Sequence, residues 1–216
     1  MHAAFSVIFL TTLIGAGQGM FLAMYTGQLY ALAHLLPKQA DAFYAAGTLI
    51  ALALLVAGLG ASFFHLGRPE RAWRSAAMWR TSWLSREVLV LPLVMALAFA
   101  YGLAHWFGWT RPFFNLGESI PVDPTLLIGL AGTLASFALF LCTAMIYASV
   151  RFLQEWHSPL TVLNFTFLGL ASGFMLAAAY SAYLGSDLVA FFGTWAVIAT
   201  LVALFGRLAA LARNAR

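Results

Sequence analysis

Six long apolar runs dominate the chain and limit what it can fold into. They cover approximately residues 5–30, 43–65, 85–107, 125–149, 159–184 and 187–209. A helix needs about 20 residues to cross roughly 30 Å of hydrocarbon, and each run is long enough to do so. Only 8% of the residues are charged, against about 25% in a typical soluble domain. The sequence therefore predicts an all-α, polytopic membrane bundle with about six transmembrane helices.

Other architectures fit the sequence poorly. A transmembrane barrel requires short strands in which polar and apolar residues alternate, and the sequence has no such alternation. The first run lacks both a basic leader and a small-residue cleavage signature, so we expect helix 1 to be retained. No linker, low-complexity tract or repeat divides the chain, and we expect one integral membrane domain, residues 1–216.

The basic residues are distributed unevenly between the two sides of a six-span arrangement. Lys38 and Arg111 fall on one side. The other nine fall together on the opposite side: Arg68, Arg71, Arg74, Arg80, Arg86, Arg151, Arg207, Arg213 and Arg216. Short cytoplasmic loops are enriched in Lys and Arg, so this bias predicts that both termini are cytoplasmic. It also argues against reading the net charge of +4 as nucleic-acid binding.

The connection between helices 2 and 3, "SFFHLGRPERAWRSAAMWRTSWLSREV" (62–88), holds five of these arginines. Pro69 can begin a short helix, because its missing N–H is no loss there, and the mixture of Arg, Trp and Met is typical of an interfacial helix. Ser82 or Ser85 is expected to cap helix 3. Contacts with anionic lipid and an aromatic belt would explain part of this composition. Seven charged residues in 20 positions also favour a docking surface for a soluble partner.

Small residues recur within the spans and predict close helix packing. They are the "GAGQG" segment 15–19, Gly58 with Gly60, Gly129 with Gly132, and Gly169 with Gly173. The segment 108–124 carries three prolines and is expected to be an irregular, exposed loop.

Two motifs resemble those of a known family. "HLGRPERAW" followed by "SWLSREV", and "MIYASVRFLQEWHSPLTVL" (145–163), are similar to segments of the membrane anchor subunits of dimethyl sulfoxide reductase type molybdoenzymes, which include sulfite-oxidising complexes. The likeness spans roughly residues 10–185. Anchors of this family usually have about eight spans, whereas six are predicted here.

The resemblance implies a bacterial inner-membrane complex of three parts. A molybdopterin catalytic subunit and a four-cluster iron–sulfur subunit would be the partners of this anchor, which would exchange electrons with menaquinone or ubiquinone and carry no haem or other metal. A single cysteine, Cys142, cannot hold an iron–sulfur cluster, in keeping with clusters in a partner only. Substrate catalysis would also lie in a partner, so no catalytic residue is assigned here.

The resemblance also implies site residues. The family's quinol-site histidine lies in the "HLG" motif, which assigns that role to His65, and Arg71 and Arg86 match motif arginines. Histidine suits quinone chemistry because its ordinary pKa lies near 6.5, so it exchanges protons around neutral pH.

Polar side chains within spans are functional candidates by default. On this ground Gln18 and Tyr147 join the predicted quinone-binding residues. The exposed charges after helix 2 are predicted to dock the iron–sulfur partner; they are Arg68, Glu70, Arg74 and Arg80.

Three alternatives remain open from the sequence. The chain could be a structural anchor without quinone chemistry. It could be a b-type cytochrome, although its five histidines fall at span ends rather than in pairs within helices. It could also be a small transporter, although charges at mid-span and an inverted repeat are not found.

Overall fold

The structure, a computed structural model, describes residues 5–64, 66, 68–116 and 120–215. Six of its helices are long and apolar enough to cross a membrane, which confirms the predicted all-α bundle. Their bounds are α1 (Phe5–Leu32), α2 (Asp41–Phe63), α3 (Trp83–Trp106), α4 (Pro124–Ala148), α5 (Pro159–Tyr183) and α6 (Val189–Asn214). The last helix runs beyond its predicted end because "GRLAALARN" consists mostly of strong helix formers.

Three helices begin at polar caps that the sequence provides. Ser82 accepts a hydrogen bond from the backbone N–H of Ser85 at 3.4 Å and is the cap of α3. Asp123 and Ser158 cap α4 and α5 in the same way, and each is followed by a proline in the first turn. Such caps satisfy backbone N–H groups that have no partner within the helix.

Two short elements lie in the connections. A 3₁₀ helix, Pro69–Met78, follows α2; its position at a membrane interface stays a prediction. The segment 108–124, expected to be irregular, contains instead the strands β1 (Phe114–Leu116) and β2 (Ile120–Val122), which pair antiparallel. The pair tolerates Pro121 because proline can occupy a sheet edge, where its missing N–H breaks no ladder bond.

The antiparallel helices give the bundle two ends. The basic end consists of the starts of α1, α3 and α5 and the ends of α2, α4 and α6, together with the 3₁₀ helix. The far end is the opposite one and carries the strand pair. Within the bundle α1 is the most buried span, and it packs against α2, α4 and α5.

Glycines let α1 approach its neighbours closely. A Cβ added to Gly19 would overlap the carbonyl of Gly169, and one added to Gly173 would overlap the backbone of Gly19. The α1/α5 crossing is therefore backbone against backbone, as predicted. On α2, Gly58 similarly faces Ile14.

On α4, Gly129 and Gly132 make room for aromatic rings of α1. The Tyr25 ring lies against Gly129 and the Phe21 ring against Gly132. The prediction that Gly60 packs closely against another helix is wrong, because a Cβ there would meet no atom within 4 Å. Gly60 faces an open groove rather than a helix.

We predict that Gly19→Ala weakens the α1/α5 crossing. The added methyl would meet a backbone carbonyl, which cannot rotate away as a side chain could. Overpacking typically costs about 1–3 kcal/mol of folding free energy, and we expect the upper part of that range. The measurement is the midpoint of thermal unfolding of the full chain in detergent.

Gly193→Ala is the matched control, because a Cβ at Gly193 meets nothing within 4 Å and the gain in helix propensity is the same. Equal unfolding midpoints for the two variants would contradict the assigned role of Gly19.

Candidate functional site at the basic end

An apolar groove lies between α1 and α2 at the basic end. Its volume is about 660 Å³, and it is open at the surface of the bundle rather than enclosed. The lining residues are Ser6, Phe9 and Leu13 of α1, with Ala57, Gly60, Ala61, Phe63 and Phe64 from α2 and its end. The groove is wide at Gly60 because that residue has no side chain.

Phe64, which lines the groove, immediately precedes His65 in the chain. His65 lies outside the described residues, so its predicted role stays a prediction. The described groove wall is nonetheless suited to an apolar ring or chain, since Ser6 supplies its only side-chain hydroxyl.

The 3₁₀ segment is the stretch 68–80, which contains the 3₁₀ helix and the residues next to it. Arg86 holds the end of this segment against α3. Its Nε donates to the carbonyl of Trp79 at 3.0 Å, and its Nη2 donates to the carbonyl of Arg80 at 2.8 Å. The guanidinium also lies 4.2 Å from the centroid of the Trp83 ring. Two of its five N–H donors are thus occupied by backbone carbonyls, and these contacts fix the loop that follows the 3₁₀ helix.

The remaining charged groups of this segment point into solvent. Arg71 lies 3.9 Å from Glu70, with both side chains more than half exposed, and such a surface pair contributes little stability. Arg74 lies over Trp73 and Arg80 over Trp79, at 5.6 and 5.4 Å from the ring centroids. With Arg68, which is exposed too, these residues leave their charges available to a partner.

A buried carboxylate, Glu87, lies one turn into α3. It is 8% exposed, and Thr143 of α4 donates a hydrogen bond of 2.6 Å to its Oε1. Burying a carboxylate is costly unless it is hydrogen-bonded. Glu87 is not among the residues predicted for the site, although the helical spacing of Leu91, Val94 and Ala98 places position 87 on the inner face of α3.

Tyr147 and Gln18 lie in different parts of the bundle. Tyr147, near the end of α4, stacks on Phe165 at 5.2 Å and meets Trp156 edge-on at 5.3 Å. Gln18 is 1% exposed in the middle of α1 and donates back to the Ile14 carbonyl at 3.3 Å. Tyr147 therefore fixes the 4/5 connection, whereas Gln18 lies deep in the bundle.

The structure does not join the predicted quinone-binding residues into one cluster. Within the described chain, no hydrogen bond, ion pair or ring contact links Gln18, Arg71, Arg86 and Tyr147 with one another. In that same part of the chain, no group of three or more His, Cys, Asp or Glu side chains is placed to hold a metal ion.

Comparison with known proteins places the chain in a family. The family profile described as DMSO reductase anchor subunit (DmsC) matches residues 1–214. The chain is also 76% identical over 216 residues to the C subunit of sulfite dehydrogenase from Allochromatium vinosum; the match covers all of this chain but 66% of that relative's length. No solved structure matches. The chain thus belongs to the DMSO reductase anchor subunit (DmsC) family.

Proposed function

We propose that this chain is the membrane anchor and quinone-reactive subunit of a molybdopterin and iron–sulfur oxidoreductase complex. The groove at the basic end carries the proposal, because an apolar cleft of about 660 Å³ leads to the residue before His65. It lies at the same end as the exposed arginines of the 3₁₀ segment. A lipid-soluble carrier and a soluble electron-transfer partner would thus meet at one end of the bundle.

The similarity to a sulfite dehydrogenase subunit supports electron flow from the catalytic partner towards quinone. Oxidation of sulfite to sulfate consumes water and releases two electrons and two protons. Reduction of a quinone to a quinol takes up two electrons and two protons. The catalytic partner would release the electrons, the iron–sulfur partner would conduct them, and this chain would hold the quinone that accepts them.

The groups at the basic end suit this chemistry. The Phe9, Leu13 and Phe63 side chains would hold the ring and the start of the tail, and the tail would continue into lipid. His65 would supply a proton to a quinone oxygen from the rim. Of the two arginines matched to the family motif, Arg71 keeps an exposed side chain and would attract the developing negative charge.

Glu87 adds a buried proton-carrying group at the same end, held by Thr143. The contacts of Arg86 and Tyr147 support roles in positioning the loops around the site rather than in touching the quinone. Gln18 has no contact that links it to the groove among the residues described, and its role toward quinone stays a prediction.

The exposed charges favour docking of the iron–sulfur partner on the 3₁₀ segment. The positive-inside bias of the loops supports a multi-pass protein of the bacterial inner membrane with both termini and this docking surface in the cytoplasm. The partners would therefore be cytoplasmic, as a sulfite-oxidising complex on that side would require.

Filling the groove is expected to block quinone without disturbing the fold. A Gly60→Phe side chain would enter open space, since a Cβ there meets nothing within 4 Å. We expect quinone-linked sulfite oxidation by the purified complex to fall at least tenfold. Turnover with a soluble dye that accepts electrons from the partner subunits is expected to stay within twofold of wild type.

Gly193→Phe is the matched control, because Gly193 also faces open space but lies on α6 at the far end. The groove assignment fails if both variants turn over quinone at the same rate.

We predict that His65→Ala leaves the complex assembled but abolishes quinone-linked turnover, because the rim loses its proton donor. The measurement combines co-purification of the subunits with quinone-dependent and dye-dependent rates. Unchanged quinone-dependent turnover would favour a structural anchor without quinone chemistry.

Charge reversal at Arg74 and Arg80 is expected to weaken docking. The double substitution Arg74→Glu, Arg80→Glu would replace attraction to an acidic partner surface by repulsion. We expect recovery of the iron–sulfur subunit with the anchor to fall severalfold in 0.15 M salt, a concentration at which charges interact over about 8 Å. Arg111→Glu at the far end is the control and is expected to have no effect; equal losses for both would refute the docking surface.

A further inference from the structure

A buried histidine at the far end belongs neither to the groove nor to the docking surface. His105, in the last turn of α3, is 3% exposed. Its Nδ1 lies 3.1 Å from Oδ1 of Asp41, in the first turn of α2. The Asp41 side chain is 37% exposed, so it reaches the aqueous phase while the imidazole lies inside the bundle.

The second ring nitrogen of His105 requires a partner. A carboxylate only accepts hydrogen bonds, so an ionised Asp41 requires a proton on Nδ1. In neutral imidazole Nε2 is then a bare acceptor, and in imidazolium it is a second donor. Nε2 is buried and has no hydrogen-bonding partner among the described residues. A buried polar atom left in that state destabilises the fold.

Two more polar atoms near His105 are buried without a hydrogen-bonding partner among the described residues. The Tyr44 ring stacks on the imidazole with centroids 5.0 Å apart. The hydroxyl of Tyr44 and Oγ1 of Thr48, one turn further along α2, are buried without a partner in the described part of the chain. A Cβ added to Gly102 would come no closer than 3.6 Å to any atom, the nearest being in Thr48. A methyl group at Gly102 would therefore fit in the α2/α3 crossing in ordinary van der Waals contact with Thr48.

Neighbouring polar groups are already engaged with one another. Tyr101 meets the imidazole edge-on at 4.7 Å, but its hydroxyl donates to Oε1 of Gln28 at 2.7 Å. Nε2 of Gln28 donates to Thr125 at 2.5 Å, and Thr125 donates to Asp123 at 2.7 Å. This second chain ties α3 to α1 and α4, and none of its hydrogen bonds among the described residues reaches His105.

We propose that an internal water molecule bound to Nε2 of His105 occupies the α2/α3 crossing and exchanges protons with the far-end aqueous phase through His105 and Asp41. Water is the ligand class that fits, because it can donate to Nε2 and accept from Tyr44 or Thr48. Buried waters typically make about three such bonds. Transfer of a proton from the water to Nε2 and of the Nδ1 proton to Asp41 would leave the imidazole neutral in its other tautomer and the water as hydroxide. The reverse transfers, with a solvent proton taken up by Asp41, would restore the imidazole and the water.

The site is separate from the quinone groove. It lies at the other end of the bundle, at the start of α2 rather than at its end. The inference does not rest on the proposed function and would hold for an anchor that never binds quinone.

Solid-state NMR on the full chain in lipid bilayers tests the site without any substitution. With ¹⁵N-labelled histidine and ¹³C-labelled tyrosine, His105 is assigned by its contacts with the Tyr44 and Tyr101 rings. We expect the tautomer protonated at Nδ1 and strong magnetisation transfer from water to Nε2. Absence of water transfer to Nε2 under conditions that detect it at the exposed His34 would overturn the proposal.

The route to solvent is tested by hydrogen–deuterium exchange of the His105 N–H. Asp41→Asn keeps an oxygen acceptor for Nδ1 but cannot take up the proton, so we expect exchange to slow at least tenfold. Asp187→Asn, an exposed carboxylate also at the far end, is the control and is expected to leave the rate unchanged. An unchanged rate in Asp41→Asn, or equal slowing in both variants, would refute Asp41 as the exchange route.

Discussion

The close approach of α1 to its neighbours is the constraint on which the rest of the structure depends. Lipid surrounds the helices with a medium as apolar as their own side chains, so association requires backbone proximity and good packing. The crossing of Gly19 with Gly169 and Gly173 provides it on one side of α1, and Gly58 provides it on the other. Two residues after Gly58, Gly60 faces open space, so the groove begins where the tight α1/α2 contact ends.

The polar side chains of the interior are concentrated towards the two ends. At the basic end Glu87 bonds Thr143, and at the far end His105 and Tyr101 begin two separate chains to Asp41 and Asp123. Between them lie apolar residues such as Leu55, Val94 and Leu139, all fully buried, with Gln18 as a polar residue among them. Glu87 at the basic end and His105 at the far end are thus separated by an interior that is mostly apolar.

The basic end combines an exposed charged surface with an open apolar groove. Arg86 is central to this arrangement, since it fixes the loop that carries Trp79 and Arg80 while leaving the latter's charge in solvent. A motif arginine can thus serve a site through the backbone it holds rather than through direct contact with a ligand. The Tyr147 ring contacts Phe165 and Trp156 and so joins the end of α4 to α5 and to the connection before it.

The sequence by itself determined the six helices, their approximate bounds and a serine cap at the start of α3, because helix length and capping are local properties. The motifs were also enough to identify the family. Only the tertiary structure decided that Gly60 faces a groove, that Glu87 is buried against Thr143, and that Asp41 meets His105. Each of these contacts depends on how one helix is rotated and shifted along another. Side-chain packing between the helices sets that arrangement, and a local sequence pattern does not record it.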